Sequence, residues 1–287
     1  MLGLGLGVPA VAARRRGVGG GGEPEPVVGW NLTTTTYDSV SFVTTAQETS
    51  PFGFAIKPDG TKLYVIGFGR RVYQYTLTTP WDISTATYDS LSLSVSGQTG
   101  GAENIRFSED GTKMFLASSN LDRIIEYNLG TAWDVSTGVF NSVILDTSGQ
   151  EATTSGLAFS VDGTKAFVVG LSSDRVHQYT LSTPWALSSA ASDGVSLLVS
   201  GQENQPQDLF FKPDGSKLFV IGLNADRVFQ YGLSTPWDIT TAAYDSISHL
   251  VSAQATVPTG LFFKPDGTKM YVLNQATDTI FQYSLTS

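Results

Sequence analysis

Residues 57–66 read KPDGTKLYVI, and residues 264–273 read KPDGTKMYVL. The Asp-Gly pair predicts a tight hairpin turn, because glycine adopts the positive φ that such turns need. The apolar run after the turn predicts a strand that is covered on both faces. Five Asp-Gly pairs recur at a spacing of 51 or 52 residues and begin at Asp59, Asp110, Asp162, Asp214 and Asp266. This hairpin is therefore the repeated element from which the fold is built.

Three further markers recur in the same register as the hairpin. The tryptophans are Trp30, Trp81, Trp133, Trp185 and Trp237, and their spacing is 51 or 52 residues. Glutamines recur at Gln47, Gln98, Gln150, Gln202 and Gln254, and tyrosines at Tyr75, Tyr127, Tyr179, Tyr231 and Tyr283. Because independent markers agree, residues 30–287 are interpreted as five copies of one unit.

Each unit predicts four strands. In the first complete unit, the apolar or alternating segments are 52–56, 63–66, 72–77 and 88–95. Small residues alternate in the first segment, which favours a crowded position near an axis. The fourth segment alternates Leu with Ser, which is typical of a half-exposed strand. Four-stranded units of this length, repeated around an axis, form β-propellers.

The two ends of the repeat region complement each other. Residues 30–42 resemble the fourth strand of a unit, whereas the C-terminal copy, which ends at residues 282–287, supplies the first three strands of one. The sequence therefore predicts an all-β, five-bladed β-propeller of four-stranded blades. We expect the N-terminal outer strand to pair with the three C-terminal strands and close the ring. Two parts are predicted, an extended N-terminal arm with a Gly/Pro linker at 1–29 and the propeller at 30–287.

The repeat resembles two kinds of known propeller. Residues 58–65, PDGTKLYV, and residues 265–272, PDGTKMYV, look like the repeat of YVTN/NHL-type β-propellers. The longer unit is similar to propeller repeats in bacteriophage structural proteins. The resemblance covers 30–287 and implies the fold, but propellers host many functions. The lactonase-like relatives have more and shorter blades, so their enzymology is not carried over to this chain.

The predicted arm differs in composition from the ring. Its first 13 residues are mostly Leu, Gly, Val and Ala, and three arginines and a glycine run follow them. A signal peptide has the opposite order of charge and apolar run. The arm is either a disordered tail or a peptide that orders in a partner's groove. In the second case the predicted partner contacts are Leu2, Leu4, Val8, Arg14, Arg15 and Arg16.

Composition excludes several classes of function. The formal net charge of −9 argues against binding to nucleic acid, which needs a basic surface. No apolar run is long enough for a transmembrane helix. With no Cys and only two His, the chain offers no disulfide framework, no thiolate zinc site and no three-histidine site. We expect no cofactor, no metal and no catalytic residue.

Polar loop residues are the first candidates for ligand binding. The loop between the second and third strands carries Arg71, Arg123, Arg175 and Arg227. The loop before the first strand carries Gln150, Gln202 and Glu203, and both loops should lie on one face of the ring. These groups either bind a glycan or form blade-to-blade salt bridges and loop hydrogen bonds. The tryptophans likewise either pack the blades or stack on sugar rings.

Irregularities of the inner strand are the second set of candidates. Most units have small or apolar residues there, but Glu103, Arg106 and Asp208 break the pattern. One interpretation is a salt bridge between Arg106 and Asp208 that fills the channel. The other is a carboxylate pair, Glu103 and Asp208, like the acid and nucleophile of glycoside hydrolases.

Together, these features predict a non-enzymatic phage virion structural protein, a tail or head fibre or decoration. The arm would bind other virion proteins, and the ring would contact a host-surface receptor or glycan. The expected location is the virion, or otherwise the secreted or cell-surface fraction. Two alternatives stay open, a lectin-like glycan-binding propeller and a five-bladed glycoside hydrolase.

Overall fold

The computed structural model describes residues 29–286. The arm contacts predicted at 2–16 lie outside the described residues. Within the described range, the chain forms five four-stranded antiparallel sheets whose inner strands contact one another around a ring. The predicted five-bladed β-propeller is confirmed.

The strands follow the predicted order from the inside of each blade to its outside. The outer strand of blade 5 comes first in the chain, as β1 (Thr35–Val43). Blade 1 consists of β2 (Pro51–Ile56), β3 (Lys62–Gly67), β4 (Arg71–Leu77) and β5 (Ala86–Ser94). Blade 2 consists of β6 (Asn104–Phe107), β7 (Lys113–Ser118), β8 (Arg123–Leu129) and β9 (Gly138–Asp146). Blade 3 consists of β10 (Thr154–Phe159), β11 (Lys165–Gly170), β12 (Arg175–Leu181) and β13 (Ala190–Leu198).

Blade 4 consists of β14 (Pro206–Phe211), β15 (Lys217–Gly222), β16 (Arg227–Leu233) and β17 (Ala242–Leu250). Blade 5 combines β18 (Pro258–Phe263), β19 (Lys269–Asn274) and β20 (Thr279–Leu285) with β1. The 3₁₀ helices are Leu32–Thr34, Ile83–Thr85, Val135–Thr137, Leu187–Ser189, Ile239–Thr241 and Gln275–Thr277. None of the helices in the described range is long enough to cross a membrane.

The ring has two distinct faces. We call the end where the inner strands begin the entry face; it carries the connections between blades and the loops between second and third strands. The opposite end, the turn face, carries the Asp-Gly turns and the tryptophan loops. Each second strand begins with a partly exposed lysine and is buried after it, as Leu63, Tyr64 and Val65 show with 0% exposure. Their burial confirms the prediction of strands covered on both sides.

The ring closes as predicted, through β1. Its residues pair antiparallel with β20, from Thr35 opposite Leu285 to Val43 opposite Thr279. Just before β1, the Trp30 N–H donates to the Gly267 carbonyl of the blade 5 turn, at 3.0 Å. One blade is therefore built from both ends of the ring sequence.

Each tryptophan covers the glycine of the Asp-Gly turn in its own blade. All five tryptophans have φ values between 60° and 73°, a conformation that side chains other than glycine rarely adopt. A Cβ atom on Gly60 would come within 2.4 Å of the Trp81 ring, so the turn needs glycine. The Tyr64 hydroxyl of blade 1 donates to the Trp133 carbonyl of blade 2, at 2.7 Å. These contacts match the packing interpretation of the tryptophans.

A bulge in the outer strand prepares a connection to the next blade. Tyr75 pairs with Tyr88 but Gln74 pairs with Leu91, so Asp89 and Ser90 are extra residues in β5. The bulge aims Asp89 at Gln74, whose Nε2 donates to the carboxylate at 2.9 Å. The other side of the amide, Oε1, accepts from the Val135 N–H at the 3₁₀ helix of blade 2, at 3.1 Å. Blades 3 and 5 repeat this connection through Gln178 and Gln282.

Blade 2 makes the same connection with the functional groups exchanged. Glu126 stands where the other blades have Gln, and Asn141 stands where they have Asp. Asn141 Nδ2 donates to Glu126 Oε1 at 2.7 Å, and Glu126 Oε2 accepts from the Leu187 N–H of blade 3 at 2.9 Å. Lys113 forms a salt bridge with Glu126 at 2.7 Å. The pair therefore keeps one amide and one carboxylate.

We expect Glu126→Gln to destabilise the ring by about 1–2 kcal/mol, because two amides then face each other beside a lysine. Adding Asn141→Asp restores the Gln–Asp pattern of the other blades, so the double variant should regain most of the loss. Urea unfolding of the single and double variants measures the coupling, for which we expect about 1 kcal/mol or more. Glu109→Gln, at an exposed glutamate of blade 2, is the control. Additive effects of the two substitutions would contradict the exchange.

Candidate functional site

Five equivalent residues lie at the entry-face ends of the inner strands or, in blade 2, just before the strand. The positions are Phe52, Glu103, Ser155, Gln207 and Thr259, and we call them the mouth ring. Four of the five side chains are polar, and all four are buried, between 0% and 8% exposed. Glu103 is the one member of the mouth ring with an ionisable side chain.

The next layer of the channel is a buried hydrogen-bonded salt bridge. Arg106 Nη2 of blade 2 lies 2.8 Å from Asp208 Oδ1 of blade 4. Asn104 Nδ2 donates to the same oxygen at 2.7 Å, and the Leu261 N–H of blade 5 donates to Oδ2 at 2.8 Å. Asp208 is 0% exposed. The salt-bridge interpretation of this pair is therefore the one that the geometry supports.

Asp208 is poorly placed to share catalysis with Glu103. Burial raises the pKa of Asp208, and the neighbouring Arg106 and backbone N–H groups oppose that rise. Its two oxygens are occupied by four donors, from Arg106, Asn104, Leu209 and Leu261. A glycosidase needs both carboxylates open to the substrate. Asp208 therefore does not fit the role of second catalytic carboxylate beside Glu103.

Glu103 has a different environment. The only hydrogen bond to its carboxylate within residues 29–286 comes from the Ser119 hydroxyl, in the loop between β7 and β8. No Lys or Arg of the described chain forms a salt bridge with it. Burial raises the pKa of Glu103 to about 7, and the Ser119 hydroxyl opposes the rise. Glu103 can therefore take up or release a proton near neutral pH.

Three other entry-face glutamates show what a purely structural carboxylate does here. Glu203 accepts from the backbone N–H groups of Gln205 at 2.8 Å, Asn224 at 3.2 Å and Ala225 at 3.0 Å. Glu48 and Glu151 bind backbone N–H groups of their own blades in the same manner. They hold the second-to-third-strand loop against the connection between blades. Glu103 has none of these backbone donors, so its carboxylate is not used for loop closure.

The arginines predicted to bind a ligand mostly pair within their own blade. Arg71, Arg175 and Arg227 donate through Nη1 to Ser92, Ser196 and Ser248 of the adjacent outer strand, at 2.9, 3.0 and 3.1 Å. Arg123 donates through Nε to the Leu121 carbonyl at 3.1 Å. Apart from Arg106–Asp208, the salt bridges within residues 29–286 join residues of one blade. Of the alternative to glycan binding, the ring of blade-to-blade salt bridges is not found among the described residues, whereas the predicted local hydrogen bonds are.

The glutamines predicted with them also have internal partners. Gln150 Oε1 and Gln202 Oε1 accept from the hydroxyls of Tyr179 and Tyr231, each at 3.1 Å. Both loops lie on the entry face, as the sequence predicted. The recurrence of Gln and Tyr in one register reflects this hydrogen bond. None of these residues is brought to the channel.

A serine and a histidine lie next to Glu151, but not as a catalytic triad. Ser173 Oγ lies 3.0 Å from His177 Nε2 and 2.5 Å from Glu151 Oε2. The hydroxyl is placed between the carboxylate and the imidazole, whereas a triad needs the imidazole in the middle. Burial lowers the pKa of His177. In the same described range, no group of three His, Cys, Asp or Glu side chains is arranged to hold a metal.

Sequence reasoning found Glu103 but missed Ser119. The equivalent loop positions in the other blades are Phe68, Leu171, Leu223 and Gln275. In blade 1 the two positions hold Phe52 and Phe68, whose rings lie 4.5 Å apart. Blade 2 replaces this aromatic pair with Glu103 and Ser119. Aligning the five units and comparing both positions, rather than the inner-strand position alone, would have revealed the polar pair.

Comparison with solved structures identifies propellers of similar fold. A candidate 6-phosphogluconolactonase from Bacteroides uniformis has a TM-score of 0.50 and 13% identity, over 78% of this chain and 64% of that one. The periplasmic gluconolactonase of Pseudomonas aeruginosa has a TM-score of 0.49 and 16% identity, over 82% and 66%. A functionally unknown protein from Desulfotomaculum acetoxidans has a TM-score of 0.48 and 14% identity, over 78% and 62%. The chain spans less than two thirds of each of them. No family model matches the sequence, and no curated protein does.

These findings correct the functional prediction. The structure with a TM-score of 0.50 carries the name of a lactonase and is not described as a phage or virion protein. This neighbour contradicts the prediction of a non-enzymatic virion structural protein, and with it the expectation that the chain is not an enzyme. At such low identity the likeness shows the propeller fold alone. The resemblance to YVTN/NHL-type repeats stays a prediction.

Proposed function

We propose that the protein is a hydrolase of small lactones or related esters, and that Glu103 is its general base. The observation that carries this proposal is a carboxylate 8% exposed in the mouth ring, with the Ser119 hydroxyl as its one described hydrogen-bond donor. Such a group has a free oxygen that can bind water. General bases work best when their pKa lies near the working pH, and burial raises the pKa of Glu103 to about 7.

The chemistry follows from the position of the carboxylate. Glu103 removes a proton from a bound water while the water oxygen forms a bond to the carbonyl carbon of the lactone. The ring C–O bond then breaks, and Glu103 returns the proton to the departing oxygen. Ser119 donates to the other carboxylate oxygen and fixes its direction. One residue thus serves as base and then as acid, with all atoms accounted for.

The substrate class is chosen from the comparisons rather than from the site. Two propellers of similar fold are named for gluconolactone substrates. Sugar-acid lactones are small and polar and carry no charge at the lactone ring, so that ring does not repel a single carboxylate acting as the base. We therefore take glucono-δ-lactone and its 6-phosphate as the first substrates to test.

We expect Glu103→Gln to lower kcat/KM for lactone hydrolysis at least 100-fold, because the amide cannot accept the proton of water. Titration of the released acid at constant pH, corrected for spontaneous hydrolysis, measures the rate. Glu109→Gln, at an exposed glutamate of the same blade, should leave the rate unchanged. The base acts when it is deprotonated, so the rate should rise as pH increases through about 7 and then level off. Equal rates for the wild-type protein and Glu103→Gln would overturn the proposal, and so would the absence of any rate above background.

The predicted role of the arm is separate from this site. Contacts of Leu2, Leu4, Val8 and Arg14–Arg16 with a partner fall outside the described residues and stay a prediction. A location outside the cell likewise stays a prediction.

A further inference from the structure

The opposite end of the channel contains an apolar cavity. It opens on the turn face, where the inner strands end, and has a volume of about 340 Å³. Aromatic residues form half of its lining. They include Phe107, Phe159 and Phe210 from the inner strands and Trp133, Trp185 and Trp237 from the loops. A volume of this size is within the range of pockets that hold small molecules.

The cavity exists because the inner strands are unequal at one repeated position. Blades 4 and 5 place Phe210 and Phe262 there, with ring centroids 5.2 Å apart, and blade 2 places Arg106. Blade 3 has Ala158 at the same position, and Ala158 lines the cavity. Close packing is the rule inside proteins, so an open volume next to an alanine is a departure that a ligand could fill. Both phenylalanines stay partly exposed, into this space.

The charges around the cavity are already paired. Arg106 lines its floor, but its guanidinium is bound to Asp208 and to the carbonyls of Ile105 and Leu209. At the rim, the lysines pair with the aspartate of their own turn: Lys57 with Asp59, Lys212 with Asp214 and Lys264 with Asp266, at 2.7–2.8 Å. Glu109 adds an exposed negative charge at the rim. An anion would gain no cation here and would meet Glu109, so the lining favours an uncharged ligand.

We propose that this cavity is a binding site for a small, uncharged, ring-containing apolar molecule. Flat rings pack against Phe and Trp side chains at little entropic cost and bury much apolar area. The site lies at the opposite end of the inner strands from Glu103. Glu103 and Phe107 are four residues apart, which corresponds to about 13 Å along a strand. The site therefore stands independently of the proposed hydrolase site, and the two can be tested apart.

The probe for this site is N-phenyl-1-naphthylamine, a neutral bicyclic dye whose fluorescence rises in apolar surroundings. We expect saturable binding to the full-length protein and at least 10-fold weaker binding of 8-anilinonaphthalene-1-sulfonate, which has similar rings and a negative charge. Ala158→Leu fills the cavity and should weaken the binding of the neutral dye at least 10-fold. Ala191→Leu, at an exposed alanine of β13, makes the same chemical change elsewhere and should leave dye binding unchanged.

Three results would overturn the proposal. They are no saturable binding of the neutral dye, equal binding by wild type and a folded Ala158→Leu, or binding that appears only after residues 1–28 are removed. The last result would mean that the chain's own N-terminal segment fills the cavity. If Ala158→Leu does not fold, Glu109→Lys serves in its place. This variant should strengthen binding of the sulfonate dye at least 5-fold without changing binding of the neutral dye. If sulfonate binding is unchanged, the dye binds at another place on the protein and the proposal is overturned.

Discussion

Replacing Arg106 with alanine is expected to lower the free energy of unfolding by about 3–5 kcal/mol. Asp208 is 0% exposed, and it would lose the cation that lies 2.8 Å from its carboxylate. Removing one member of a buried ion pair leaves an uncompensated charge, which costs more than the pair itself contributes. The same substitution removes hydrogen bonds to the Ile105 and Leu209 carbonyls. Because both effects act at one buried site, we expect this single substitution to cause a large loss of stability.

The destabilisation by Arg106→Ala should depend on pH. Burial raises the pKa of Asp208, and Arg106 opposes the rise, so the folded-state pKa is highest in the variant. The folded variant keeps a proton that the unfolded chain releases near pH 4, so its stability falls as pH rises above about 4. The fall ends once pH exceeds the folded-state pKa. The difference from wild type should thus be larger at about pH 8 than at about pH 4.5.

Urea unfolding at both pH values measures these differences. Arg71→Ala is the matched control, because Arg71 is partly exposed and bonds Ser92 at the edge of its blade. It should cost less than about 1 kcal/mol at either pH. The double variant Arg106→Met with Asp208→Asn removes both charges and keeps an amide oxygen for the Asn104, Leu209 and Leu261 donors, so it should recover part of the loss. A loss below about 1 kcal/mol for Arg106→Ala, or no dependence on pH, would contradict a buried charge pair.

Repetition made the fold predictable. Each blade presents its Asp-Gly turn, its buried second strand and its tryptophan at the same spacing, so one unit could be interpreted from five copies. Closure was predictable because the first outer strand and the last three strands are complementary fragments of one unit. Turns and strands are determined mainly by residues close together in the sequence, so their pattern can be recognised without a structure.

Contacts between blades were less predictable. The Gln74–Asp89 connection depends on a bulge that inserts two residues, and the alternation of Leu and Ser in that strand does not reveal it. Once the bulge is known, the exchange of Glu126 and Asn141 in blade 2 is simple to interpret. The choice between a salt bridge and a catalytic role for Asp208 required the structure of the closed ring, because blade 3 separates the blades of Arg106 and Asp208 in sequence. For the same reason, the sequence identified Glu103 as irregular but not its burial or its Ser119 partner.

Removing β1 is expected to have the largest effect on the ring. Deleting residues 1–43 takes away the outer strand of blade 5 and the buried side chains of Trp30 and Leu32, which are 8% and 1% exposed. Burial of each such side chain contributes about 1.5–3 kcal/mol, and the unpaired edge of β20 adds to the loss. Trp30 also stacks on Phe263 and on Phe219 of blade 4, at 5.4 and 5.8 Å, so two blades lose packing. The sum is comparable with the whole stability of an ordinary domain, and we expect the truncated chain to be largely unfolded or aggregated.

Deletion of residues 1–28 is the control for this truncation, because β1, Trp30 and Leu32 remain. That variant should keep the cooperative unfolding transition and the near-UV signal of the packed tryptophans. A synthetic peptide of residues 29–43, added to the 1–43 deletion during refolding, should restore both signals, since β1 pairs with β20 from Thr35 to Val43 on both sides of a bulge. A soluble, cooperatively folded ring without β1 would show that closure does not hold the propeller together. Failure of the peptide to rescue, with an intact 1–28 deletion, would mean that covalent continuity with blade 1 is needed as well as pairing.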